Sequence, residues 1–204
     1  MRIPIISALA SGWLTAGVLF AQSSQAPPAS ASTGRLARDI VGKAAPLTVT
    51  SPMFSSGGEI PLKYSDYGEK TSPPLSWTGQ PQAAKSFAII VDDPDAKSPS
   101  PYVHWVLFNL PPAMNSVPES VPTDETLVKL GNARQGKTSR GSVGYFGPRP
   151  PAGDPAHHYH FQVFAIDTVL DTPAGADRDT LLAALKGHVL AHGEIVGTFK
   201  APAK

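Results

Sequence analysis

Three short stretches of this sequence set carboxylates and imidazoles at the ends of apolar runs: Asp92-Asp93-Pro94-Asp95, His104-Trp105 and His157-His158-Tyr159-His160-Phe161. A carboxylate beside an imidazole accepts one ring N–H, fixes the tautomer and leaves the other nitrogen facing outward. Two imidazoles held in this way can grip an anion. The loop Gly147-Pro148-Arg149-Pro150-Pro151-Ala152-Gly153 precedes the last stretch. It is short of side-chain bulk and of N–H groups, so a ligand oxygen can approach the few amides that remain. Phosphate suits such a site. The other chemistry open to these residues is proton transfer to a bound ester, with His157 or His104 as acid or base and Asp93 as orienter. Against hydrolysis stands the absence of a nucleophile or a credible metal set: Ser142 and the other serines lack a nucleophile-elbow context.

Each motif also has a structural reading. A lone histidine on an apolar strand face is more often a satisfied core residue, and the Asp92-to-Asp95 cluster alone is a turn in which Asp side chains cap backbone amides. That reading fits Asp92 and, to a lesser degree, Asp95, whereas Asp93 is the carboxylate assigned to the site. His157, His158 and His160 resemble a metal cluster only until strand alternation is applied, because His158 and His160 then face away from His157. His188 and His192 have helical spacing but lack the intervening Glu of a zinc protease motif, and they read as histidines complementing a helix C-terminus. Trp77 and Trp105 read as core. Arg149 is expected to point to solvent, the alternative being that it reaches over the mouth of the site as an extra cation.

These groups need strands to position them. Ser86-Phe87-Ala88-Ile89-Ile90-Val91 is apolar on both faces and predicts a central strand. A strand over residues 102–110 follows, with Tyr102, His104, Val106, Phe108 and Leu110 on one face and Val103, Trp105 and Leu107 on the other. A third strand places His157, Tyr159, Phe161, Val163 and Ala165 together. If the first two pair antiparallel and the third runs in the direction of the second, Asp93, His104 and His157 meet at one end of the sheet. Shorter strands are predicted at Leu47-Thr48-Val49-Thr50, Leu75-Ser76-Trp77 and residues 194–199. One helix is predicted over about residues 177–192, with Leu181, Leu185 and Val189 in register and Gly193 as its stop.

The chain has 204 residues, with 41% hydrophobic and 16% charged residues, which fits one globular domain with appendages. Its 22 Pro and 18 Gly argue for many turns and few long helices. A formal charge of +1, with Lys and Arg scattered, gives no footprint for nucleic acid. The absence of cysteine excludes disulfides, thiolate metal sites and thiol nucleophiles. Met1-Arg2 followed by an almost uncharged run reads as a signal peptide over residues 1–21, with an uncleaved membrane anchor as the alternative. Residues 22–46 read as a flexible linker and residues 47–200 as the folded domain. The protein is thus expected to be exported, to the periplasm or beyond, with no stable membrane insertion once the signal is removed.

The Asp-Pro-Asp-Ala run at residues 93–96, His104-Trp105, the loop from Gly147 to Gly153 and the spacing His157-x-Tyr159-x-Phe161 closely resemble the phosphatidylethanolamine-binding protein family, its bacterial branch above all. Ser72-Pro73-Pro74-Leu75-Ser76-Trp77 and Gly197-Thr198-Phe199 extend the likeness over nearly all of residues 47–199. The resemblance implies a mainly β, sandwich-like fold with a large antiparallel sheet, one C-terminal helix and long Pro/Gly-rich loops. It also implies a pocket for phosphate, phospho-headgroups or phosphorylated ligands, with no cofactor and no catalytic residue, and a protein partner in the manner of the kinase- and protease-inhibiting members. Carried over by position, Asp93, His104 and His157 line the pocket, framed by Asp95, Tyr145, Gly147, Pro151 and Tyr159. The chain departs from the family pattern at Lys97, where a proline often follows, and at Arg149, where a small residue is usual.

Overall fold

The structure is a computed structural model that describes Met1 and residues 35–203, so the signal-peptide reading and residues 22–34 of the linker reading lie outside the described residues. In chain order the elements are α1 (Ala37–Val41), β1 (Ala45–Pro46), β2 (Thr48–Thr50), β3 (Leu75–Thr78), β4 (Ser86–Asp93), β5 (Tyr102–Leu110), β6 (Ser116–Val117), β7 (Thr126–Leu127), β8 (Ala133–Gln135), β9 (His157–Ile166), α2 (Arg178–Leu185) and β10 (Val189–Phe199). Among the described residues they form a seven-stranded sheet in the order β1-β10-β9-β4-β5-β8-β7 and a three-stranded sheet, β2-β3-β6.

β4 is buried along its whole length, as its two apolar faces require. Phe87, Ile89 and Val91 pack with Leu75, Trp77, Val49 and Val117 of the smaller sheet. Ala88 and Ile90 pack on the opposite face with Leu181, Leu182 and Leu185 of α2. Each large apolar side chain so buried contributes about 1.5–3 kcal/mol. The domain formed by residues 35–203 is therefore layered as small sheet, large sheet and helices. β5 and β9 both pair antiparallel with β4, so they share a direction and begin at the end where β4 stops.

The simple alternation expected for β5 does not hold, and the reason is two irregularities in its pairing with β4. Val91 pairs with Trp105 while the next residue, Asp92, pairs with Val103, so His104 is an extra residue on β5. This β-bulge breaks the alternation locally. His104 consequently lies on the side of Trp105, with its ring 5.0 Å from that of Tyr159, while Val103 lies in the core beneath the helices. A second shift falls around Asn109, whose φ of 59° is left-handed, and it puts Leu107 and Leu110 in the same core.

Other expectations are corrected. The large sheet is mixed, because β1 pairs parallel with β10. α2 ends at Leu185 instead of running to residue 192, since Gly187 takes φ 83° and the chain turns into β10. Its N-terminus is as expected, with the Asp177 side chain accepting the Thr180 N–H at 2.8 Å. His192 therefore sits on a strand, paired with Phe164, not at a helix C-terminus.

Residues 35–46, read as linker, are built into the domain. Leu36 and Ala37 are buried, and β1 adds to the sheet. The anchor is Asp92, fully buried on the helix side of β4. It takes Arg178 Nε and one terminal guanidinium nitrogen at 2.9 Å each, Gln162 Nε2 at 3.0 Å and the Ala37 N–H at 3.2 Å. Arg178 also reaches the Arg35 carbonyl at 2.8 Å. Asp92 is thus not the turn cap that the sequence suggested; it is half of a buried ion pair that no local pattern announces.

Candidate functional site

Asp93 closes β4 and points to the side opposite Asp92. Its Oδ1 accepts the backbone N–H groups of Asp95 and Ala96 at 2.9 and 3.2 Å, while Oδ2 meets His157 Nδ1 at 2.8 Å. One carboxylate therefore caps the Asp-Pro-Asp-Ala turn and orients the imidazole. His104 is held differently. Its Nδ1 lies 2.7 Å from the Phe146 carbonyl oxygen, and because a carbonyl can only accept, that nitrogen carries the proton. The Phe146 ring stacks on His104 at 5.4 Å between centroids and 7° between planes. Both rings are buried, and in each the Nε2 atom is left for the cavity.

The cavity has a volume of about 520 Å³. Asp93, His104, His157 and Pro151 line it, as expected, together with Tyr102, Arg140, Phe146, Lys97, Asp154 and Arg149. Tyr159 lies beneath. Its ring meets His104 edge-on at 5.0 Å and His157 at 6.5 Å, spacing the two imidazoles. Burial, reinforced by the Asp93 carboxylate, raises the Tyr159 pKa and keeps its hydroxyl protonated.

Besides Tyr159, three expected framing residues do not line the cavity. Asp95 turns away to accept the His158 backbone N–H and ring Nδ1, both at 2.7 Å. Burial alone would raise its pKa, but these bonds outweigh burial and hold the carboxyl below its ordinary range. Tyr145 is a core residue whose hydroxyl donates to the Tyr64 carbonyl at 2.9 Å. Gly147 sits behind the wall, where a Cβ would come within 2.6 Å of the Tyr64 carbonyl oxygen. It lets the 64–66 turn close on the loop, and Asp66 N–H donates to the Pro148 carbonyl at 3.0 Å. His158 and His160 lie away from His157 and are paired with Asp95 and with Glu194, the latter at 3.0 Å.

Arg149 is not simply solvated: one of its guanidinium nitrogens pairs with Asp66 at 2.9 Å at the cavity mouth. Sequence reasoning missed Arg140, Phe146 and Asp154. Arg140 comes from a hairpin closed by the Lys137–Val143 bridge and stacks over Phe146 at 5.0 Å. Asp154 bonds Lys97 at 3.0 and 3.1 Å and lies 3.8 Å from His157 Nε2. Asp154 follows the Gly/Pro loop immediately, so its place was the most accessible of the three; Arg140 and Phe146 arrive through a long connection that has no spacing signal.

His104 is pushed below the ordinary histidine pKa by burial, against the Phe146 carbonyl and the negative charges of Asp93 and Asp92. In the free pocket it is thus held neutral, with Nδ1 donating and Nε2 an acceptor.

A two-layer β fold with helices on its outer face and a His–Asp pocket at one end of its central sheet defines a recognisable class. The family profile described as phosphatidylethanolamine-binding protein matches residues 50–200, and the chain belongs to that family. It is 45% identical over 147 residues to a UPF0098 protein of Methanothermobacter thermautotrophicus, covering 72% of this chain and 94% of that one. It is 37% identical over 158 residues to a Mycobacterium tuberculosis protein named as lipoprotein LppC, covering 77% and 74%. Among solved structures it is similar to Escherichia coli YbcL, with a TM-score of 0.72 and 31% identity over 78% of this chain and 100% of that one. The Chlamydia trachomatis homologue CT736 gives 0.69 and 36% over the same shares.

Proposed function

We propose that this protein is a non-catalytic binding protein whose pocket takes phosphate, a phospho-headgroup or another phosphorylated ligand. The observation that carries the reading is the commitment of both Nδ1 atoms, His157 to Asp93 at 2.8 Å and His104 to the Phe146 carbonyl at 2.7 Å. A ring fixed through Nδ1 can donate to a ligand through Nε2 only when protonated, and an anion is the ligand that favours that state. Arg140 and Arg149 on the cavity wall add to the favourable field for an anion, while Lys97 offsets the charge of Asp154.

Export to the periplasm or the cell exterior fits the N-terminal sequence, and the name of the mycobacterial relative agrees with it. Among the described residues no helix is long and apolar enough to cross a membrane.

Calorimetric titration with inorganic phosphate and phosphoethanolamine tests the binding reading, beside a panel of chromogenic esters and phosphoesters. Saturable binding without turnover is the expected result. Turnover that disappears in His157→Ala would replace it with a hydrolase.

A further inference from the structure

The cavity has two unlike ends. At its floor are the buried imidazoles. At its mouth, Arg140 and Arg149 are about half exposed, with side-chain exposures of 52% and 55%, yet both are tied to Asp66, whose side chain is only 4% exposed. Asp66 lies 2.9 Å from Arg149, 3.2 Å from Lys70 and 3.9 Å from Arg140. One carboxylate cannot neutralise three cations. The mouth therefore carries surplus positive charge, fixed in place by a buried anchor, and Phe146 both holds Arg140 over its ring and stacks on His104.

The carboxylate that would welcome an ammonium group at this end, Asp154, is already paired with Lys97 through both oxygens. Asp93, the other carboxylate on the wall, is committed to His157 and to two backbone amides.

Resting on the anion-pocket reading, we infer that Arg140 and Arg149 form an outer cationic subsite, so that the pocket selects a phosphate monoester bearing a second negative group over one bearing an ammonium. The ligand places its phosphate on the imidazole floor and its second acid at the arginines, with Phe146 between them. Its chemical class is a phosphorylated acid.

Three probes with the same two-carbon body separate the possibilities: phosphoglycolate, which ends in a carboxylate; ethyl phosphate, which is neutral there; and phosphoethanolamine. Calorimetry should rank phosphoglycolate above ethyl phosphate by about ten-fold, the effect of one charge-assisted hydrogen bond, with phosphoethanolamine the weakest. In Arg140→Gln/Arg149→Gln, where Lys70 still pairs with Asp66, the ratio of phosphoglycolate to ethyl phosphate affinity should fall to within about two-fold. The native-chain ranking stands as a test even if the double variant fails to fold. Equal affinities in the native chain, or phosphoethanolamine as the tightest probe, overturn the subsite while leaving the anion pocket intact. Failure of all three to bind overturns the pocket reading and the subsite with it.

Discussion

Asp92 and Asp93 are adjacent on β4 and serve opposite faces of the sheet. Asp93 orients His157 at 2.8 Å in the cavity, while Asp92 receives Arg178 at 2.9 Å through two guanidinium nitrogens beneath the helices. Strand alternation alone sends them apart. The same dipeptide thus builds the site and ties residues 35–37 and α2 to the strand that carries it.

Breaking the Asp92–Arg178 pair should be costly, because it strands a buried charge. Arg178→Ala is expected to lose about 3–5 kcal/mol in urea unfolding. The double replacement Asp92→Leu/Arg178→Met should recover much of that loss. A loss under about 1 kcal/mol in the single variant would mean that Asp92 is satisfied without the guanidinium.

Removing residues 35–46 should destabilise the domain even though no part of the cavity is lost. A chain beginning at Leu47 gives up the burial of Leu36 and Ala37, the β1 pairing and the Ala37 N–H that serves Asp92. Its urea midpoint should lie below that of a chain beginning at Arg35, and its m-value should be smaller, since less surface is exposed on unfolding. Equal midpoints would return this segment to the linker reading.

What the sequence made legible follows from period-2 patterning. The apolar run of β4, the His157-to-Ala165 face of β9 and the meeting of β4, β5 and β9 at one rim were all readable, because regular strands write their faces into alternate positions. His104 lines the cavity but lies on the other side of β5 from the one its alternation predicts, since a bulge has no spacing signature and becomes visible only in the pairing of Asp92 with Val103. The helix over residues 177–192 was overextended because Val189 continues the four-residue rhythm by chance, while Gly187, the real stop, was passed over for Gly193. Arg140 and the Asp66 anchor were invisible, because they come together only through loop packing.

His104 should make stability pH-dependent in a defined sense. Burial depresses its folded pKa below the ordinary value of about 6.5, so the unfolded chain binds the extra proton. The stability is complete above about pH 6.5 and is lost as pH falls toward the folded pKa, by at most about 1.4 kcal/mol per pH unit. Urea unfolding at pH 7.5 and 5.5 in phosphate-free buffer should show a shallower acid loss for His104→Gln than for the native chain. Parallel losses in the two chains would contradict the assignment.

The two neighbouring histidines of β9 should behave differently toward phosphate. His157 faces the cavity, whereas His158 is about half exposed and paired with Asp95. His157→Ala is expected to weaken phosphate binding by about ten-fold or more, the loss of one charge-assisted hydrogen bond of roughly 1.5–3 kcal/mol. His158→Ala should leave it within about two-fold. Equal losses at both positions would mean that the face assignment of β9 does not govern binding.

The central claim is that the neutral His104 imidazole, fixed through Nδ1, becomes a donor to an anion through Nε2. Binding must then take up protons, because the bound anion raises the imidazole pKa above its value in the free pocket. Affinity should fall as pH rises from the free-pocket pKa of His104, which lies below the ordinary value of about 6.5, toward the raised pKa of the bound state. Phosphate titration calorimetry in two buffers of different ionisation enthalpy measures the uptake directly. A net uptake that is clearly above zero at pH 7, after correction for the ionisation of phosphate itself, and that shrinks in His104→Gln is the predicted result. Zero corrected uptake between pH 6 and 8, with affinity flat across that range, would contradict the claim and return His104 and His157 to a structural role.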